Sequence, residues 1–251
     1  MAETKAQRIM TLKNVILISA IFMAVLGACK RDEYYLDGGK AKADYPGSMM
    51  KYFEDKKVPF DTIANLIKLA GLEPTFAKED FTFFAPDDDV IKRTVGNVNI
   101  DGSLNNLLFW ANRDTIKTLN QVNPAIWKKF LQRYMFRGNN RLKDYTQIDP
   151  NVLSIHPGGL FYNYNNEVFN IGVIFYDANQ IKYGGYRQLV IHYIPDVSRP
   201  KDNWIKNLVA SSDIKPTNGV VHTLAYEARY LGFNIYELFT DILNTGLSPA
   251  N

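Results

Sequence analysis

Phe81-Thr82-Phe83-Phe84-Ala85-Pro86-Asp87-Asp88-Asp89-Val90 reads as a buried strand that stops at a proline and hands over to a helix. Three phenylalanines in four residues suit a pleated, packed surface. Each contributes roughly 1.5–3 kcal/mol when fully buried. Proline has no amide hydrogen to give a ladder, so the strand ends by Pro86. An aspartate of the triplet can then accept hydrogen bonds from the free N–H groups of a short helix running through Val95.

Outward from this stretch the pattern is helical first and stranded later. Upstream, Ile63, Leu66, Ile67 and Ala70 recur at helical spacing. They predict a helix from Asp61, capped by Asp61 or Thr62 and ended by Gly71 in a left-handed conformation. Downstream, Asn123-Pro124 opens a helix with Ile126, Trp127, Phe130, Leu131 and Tyr134 on its apolar side. From Asn151 the periodicity becomes that of strands. Residues 160–164 and 168–176 flank Asn165-Asn166, and 181–183 and 187–194 flank Gly184-Gly185, so two hairpins are predicted. Residues 208–211 and 220–224 complete the strands. Leu231, Ile235, Leu238, Phe239 and Ile242 are in helical register over 231–243. There are no internal repeats.

Three segments, in order, resemble a fasciclin-like domain. Thr62 to Leu72 is similar to the family's opening helix. Phe81 to Val90 is similar to its first motif, with Phe84, Ala85, Pro86 and Asp87 at the strand end. Ser212 to Leu224 is similar to its second, Asp213-Ile214 followed by Asn218-Gly219-Val220-Val221-His222. The resemblance covers about residues 60 to 226 and implies a β-sandwich or wedge flanked by helices, with an adhesion or glycan-contact role. The chain departs from the family where a Tyr-His pair is common, offering Arg133-Tyr134 instead. Read as scaffold, Asn218-Gly219 supplies the positive φ of a tight turn. Val220, His222 and Leu224 share one strand face, which makes His222 a buried, hydrogen-bonded histidine.

At the N-terminus, Lys5, Arg8 and Lys13 precede an uncharged run from Val15 to Leu26, ending in Leu26-Gly27-Ala28-Cys29. That order describes a secretory signal, and the run is shorter than the roughly 20 apolar residues a spanning helix needs. The ending resembles the lipobox of bacterial lipoproteins, which implies cleavage before Cys29 and acylation of its sulfur and amine. Several acyl chains on one residue meet the requirement of at least two signals for stable anchoring. Met10 is an alternative start. Lys30-Arg31-Asp32-Glu33 resembles a surface-export signal of Gram-negative lipoproteins, or is a solvated linker.

The chain carries 29 Lys+Arg and 26 Asp+Glu. Lys5, Arg8, Lys13 and Glu3 lie before Cys29, leaving 26 basic against 25 acidic residues, a balance of +1 that is not that of a nucleic-acid binder. Cys29 is the only cysteine, so disulfides and Cys-zinc sites are excluded. The three histidines are not at metal-binding spacing, the Asp triplet lacks the alternation of a calcium loop, and no Gly-x-Ser-x-Gly elbow occurs. Aromatics beside amides and turn residues are the candidate ligand contacts: Tyr162, Tyr164, Tyr186 and Trp204. Aromatic faces stack on sugar rings while amides bond hydroxyls.

The expected protein is thus α/β (α+β), a fasciclin-like sandwich or wedge flanked by helices and preceded by a lipoprotein signal peptide. Residues 1–28 are the signal, 29–47 a tether, 48–228 the domain and 229–251 a helical extension. It is expected to be non-catalytic, without cofactor or metal, lipid-anchored at Cys29 in the outer membrane and surface-exposed, binding a polysaccharide or an envelope protein. The alternatives are an accessory subunit of an outer-membrane glycan-import complex and, last, a glycan-active hydrolase.

Overall fold

The first helices exist to cover phenylalanines. The computed structural model describes residues 43–199 and 202–249; the signal 1–28, Cys29 and residues 30–42 lie outside them. Helix α1 (Met49–Asp55), α2 (Lys57–Leu69) and α3 (Glu73–Lys78) lie against strand β1 (Phe81–Ala85), all of whose residues are buried. Phe53 and Phe76 meet Phe83 edge to face at 5.6 and 4.9 Å. Helix α2 is irregular over Val58, Pro59 and Phe60, and regular beyond. Its first free N–H groups are not capped by Asp61 or Thr62 but by a residue distant in sequence: Asp88 Oδ1 accepts from Thr62 and Ile63 N at 2.8 and 3.1 Å. Its end is a Schellman turn, with Leu72 N bonded to Ile67 O, Gly71 N bonded to Lys68 O, and Gly71 at φ +67°.

Past α4 (Asp88–Val95), α5 (Leu104–Trp110) and α6 (Pro124–Gln132), the chain forms β2 (Met135–Arg137), β3 (Gly159–Tyr162), β4 (Val168–Phe175), β5 (Arg187–Tyr193), β6 (Ile205–Ile214) and β7 (Gly219–Leu224). These strands and β1 make one seven-stranded sheet in the order β2-β1-β7-β6-β5-β4-β3. Only β1 and β7 run parallel. Strand β6 carries two register shifts against β7, and such bulges bend a strand and let a sheet turn over on itself. Phe136 bridges to Asn163 beyond β3, and Tyr164 N donates to Met135 O at 3.0 Å, so the sheet nearly closes. The expected sandwich is therefore one rolled sheet and not two separate ones. Inside the roll, Phe84 packs on Phe136, Tyr145 and His222, and Phe136 on Phe169.

Three local expectations fail. Residues 181–183 form no strand: Ile181 makes only an isolated bridge to Ala178, and β4 pairs directly with β5 from Phe175↔Arg187. Gly184-Gly185 therefore lies inside an eleven-residue connection, spanning 176–186, and joins no two strands. The last helix, α7 (Ile235–Thr245), starts four residues later than the apolar register suggested, because Gly232 and Phe233 adopt positive φ. Residues 43–47, placed in the tether, run beside the connection from β6 to β7: Tyr45 N donates to Lys215 O and Thr217 N to Gly47 O, at 2.8 and 2.9 Å.

The segment after Tyr226 belongs to the main core. Leu231, Phe233, Ile235, Leu238 and Ile242 are buried in it, and Phe233 stacks on Tyr134 and meets Phe169 at the end of the roll. Thr94 Oγ1 accepts from Leu231 N and Tyr134 Oη accepts from Gly232 N, which holds this segment to α4 and to the end of α6.

Candidate functional site

The two motifs become neighbours in space. Strands β1 and β7 pair with Phe81↔Gly219, Phe83↔Val221, Phe84↔His222 and Ala85↔Thr223, and Val220 lies opposite Thr82. At the start of β7, the Asn218 side chain ties three elements together. Its Oδ1 accepts from Met49 N at 2.7 Å, and its Nδ2 donates to Phe76 O and Glu79 O at 3.0 and 2.9 Å. Gly219 has φ +125°, and a Cβ there would stand 2.2 Å from Phe81 O. Beyond Pro86 the triplet divides its work. Asp87 caps α4 through Val90 N at 2.9 Å, Asp88 caps α2, and Asp89 faces Lys92 at the surface.

His222 is fully buried. Its Nδ1 accepts from Asp213 N at 3.2 Å and its Nε2 lies 3.0 Å from Asn140 O, which together define a neutral ring protonated at Nε2. Burial draws its pKa down to about 4. Arg133 is buried between the rings of Phe130 and Tyr193. It is ion-paired to Glu167 at 2.8 Å and to Glu237, and donates to Gly232 O at 2.8 Å. This cluster locks α7 to α6 and to the β3–β4 turn.

The candidate ligand contacts fall in three places. Tyr162 and Trp204 share the outer face of the β3–β6 half. Tyr162 pairs with Val168, Ile194 N donates to Val168 O, and Trp204 directly precedes Ile205, the partner of Tyr193. Three strand spacings, about 14 Å, separate Tyr162 from Trp204. Tyr162 is 64% exposed, and the Trp204 ring stands 4.9 Å from that of His192. Tyr164 lies elsewhere, packed near Phe81 under the Arg137 guanidinium. Tyr186 sits at the far end of β5, 56% exposed and stacked on Tyr176 at 4.2 Å and 16°. The Tyr176 hydroxyl donates to Gln188 Oε1 at 2.7 Å, and the Arg187 guanidinium lies 3.8 Å over Phe175.

Several features of these surfaces escaped sequence reasoning. Phe109 and Trp110 are exposed side by side at the end of α5. The helix that carries them is announced only by Ser103, whose hydroxyl accepts from Asn106 N. Asn170 and His192, cross-strand partners on the outer face, read as ordinary strand residues. Among the described residues no group of three or more His, Cys, Asp or Glu side chains is placed to hold a metal ion. Among the same residues no helix is long and apolar enough to cross a membrane.

No protein-family model matches the chain, and no curated protein does. Among solved structures it is similar to the FAS1 domain pair of the insect cell adhesion molecule fasciclin I, described there as a novel fold. The identity is 18% and the TM-score 0.44, over 72% of this chain and 50% of that one, so the chain spans half the length of that structure.

Proposed function

We propose that this chain is a non-catalytic recognition module, fasciclin-like in kind, held on a bacterial envelope by acylated Cys29 and contacting polysaccharide through outward aromatic rings. The observation that carries the reading is the Tyr176–Tyr186 stack. One ring is pinned by its hydroxyl to Gln188 and backs the other, which leaves the Tyr186 face open to solvent. A pre-positioned aromatic face with guanidinium and amide groups beside it offers stacking and hydrogen bonding to a sugar at small entropic cost. A glycan array probed with purified protein tests it: binding lost in Tyr186→Ala, with the melting temperature kept, supports the reading, and a blank array refutes it. The anchor is tested separately. Cys29→Ala abolishes fatty-acid labelling of the expressed protein, and continued labelling refutes acylation there.

A second reading has its own observation. Exposed Phe109 and Trp110 give α5 an apolar tip suited to a protein partner, as in an accessory subunit of an outer-membrane import complex. Copurification of a membrane partner from detergent extracts, lost in Trp110→Ala, distinguishes it.

A further inference from the structure

The outer face of β4 and β5 holds two buried polar atoms that no group among the described residues satisfies. Asn170 and His192 stand directly opposite each other in the ladder and are 3% and 4% exposed. Asn170 Nδ2 donates to Pro157 O at 2.9 Å, which fixes the amide orientation and leaves Oδ1 without a partner. His192 Nδ1 is also without one. The strand's other face needs neither group. Phe169, Ile171, Leu189 and Ile191 fill the main core, whereas Val168, Val190 and Ile194, beside the polar pair, lie outside it. An unpaired buried polar group costs roughly 1–3 kcal/mol, and two adjacent ones on a face that could be wholly apolar call for a ligand.

Backbone approaches the pair closely on the Asn170 side. Gly158, at φ +71°, approaches so closely that a Cβ would lie 2.5 Å from Asn170 Oδ1. Half-buried Trp204 forms the opposite side, its ring tilted 46° against His192. Tyr162 and Leu160, both exposed, are the neighbouring outer-face residues of β3, with Leu160 paired to Asn170.

We propose that Asn170 and His192 are the polar floor of a binding site for a neutral, hydroxyl-bearing ligand, a sugar ring whose hydroxyl reaches between them while its apolar face meets Trp204. The chemistry is complementary. A hydroxyl donates its single proton to Asn170 Oδ1 and accepts from His192 Nδ1–H. Burial draws the His192 pKa down to about 4, so the imidazole is neutral at pH 7. The one charged cross-strand neighbour of the pair is Lys206, opposite His192, and a neutral ligand is what such a floor selects.

The proposal deepens the glycan-recognition reading and rests on it. The test uses the full chain and a panel of neutral oligosaccharides, read by Trp fluorescence and by the imidazole 15N shifts of His192. His192→Phe keeps a ring against Trp204 and removes both nitrogens, so the melting temperature is expected to hold or rise while binding weakens at least tenfold. Trp204→Ala is expected to weaken it likewise, and sugar is expected to move the His192 Nδ1 resonance in the unsubstituted protein. That resonance needs no variant and decides the matter should His192→Phe fail to fold. Binding that depends on Tyr186 but not on His192 or Trp204 overturns this inference and leaves the module reading standing. A panel with no binder overturns both. A high-resolution structure showing one water on both atoms, undisplaced by sugar, overturns the site.

Discussion

Replacing Asn218 by alanine removes one side chain and unties three elements. The amide bonds the first N–H of α1 and two carbonyls around the end of α3, all within 3.0 Å and in a buried setting. A typical buried hydrogen bond contributes about 1 kcal/mol net, and a group left unsatisfied costs about 1–3 kcal/mol. Water reaching some of the freed groups lowers the total, so Asn218→Ala is expected to cost roughly 3–5 kcal/mol. Asn218→Asp is the sharper probe. The carboxylate keeps the bond from Met49 N but presents an acceptor to Phe76 O and Glu79 O, which need a donor. At pH 7 it is expected to destabilise at least as much as alanine. Near pH 4 its protonated form donates to one carbonyl and recovers part of the loss, relative to unsubstituted protein at the same pH. Equilibrium urea unfolding at both pH values measures each difference. A cost below about 1 kcal/mol for Asn218→Ala, or Asn218→Asp indistinguishable from the parent at pH 7, would refute the assignment of Asn218 as the tie between α1, α3 and β7.

Gly219→Ala is expected to lower stability by roughly 3 kcal/mol or more, because the new Cβ meets Phe81 O at 2.2 Å on a backbone at φ +125°; a thermal melt unchanged within 2 °C contradicts it. Arg133→Met leaves the Glu167 and Glu237 carboxylates facing each other without their cation, at an expected cost of roughly 3–5 kcal/mol. Arg133→Lys is expected to restore less than half, since an ammonium cannot reproduce the guanidinium fork, and denaturant midpoints compare the two. Acid is expected to destabilise the fold through His192 and His222, whose folded pKa values of about 4 lie below the ordinary 6.5. Between these limits the unfolded chain binds protons that the folded one refuses, so stability falls as pH drops from 6.5 toward 4, by about 1.4 kcal/mol per pH unit for each histidine. Melting temperatures across that window check the slope, and His192→Phe is expected to remove about half of it.

Much of the local structure was legible because the cause lies within a few residues. The strand from Phe81 ends at Pro86 because proline lacks a donor. The helix from Pro124 begins beneath an Asn123 cap, its side chain accepting from Ala125 N. Gly71 closes α2 because glycine adopts its φ of +67° without steric cost. Short helices went unread where six or seven residues give too little periodicity: α1, α3 and α5 owe their existence to packing on β1 and its neighbours. Gly184-Gly185 marks no two-residue hairpin turn because two adjacent glycines are equally at home inside a longer connection.

The sequence alone determined which residues do the scaffold's chemistry. An aspartate of the Asp87-Asp88-Asp89 triplet, Asn218, Gly219 and His222 were visible as cap, turn and buried strand residues because hydrogen-bonding capacity and backbone freedom belong to the side chain itself. Tertiary structure decided whom they serve. Asp88 caps a helix 25 residues upstream, and Asn218 binds an amide 169 residues away. Asn170 and His192 face each other only because β4 and β5 pair in one register. Such partners are chosen by how a sheet rolls and which face a residue turns outward, and that depends on the packing of the whole chain.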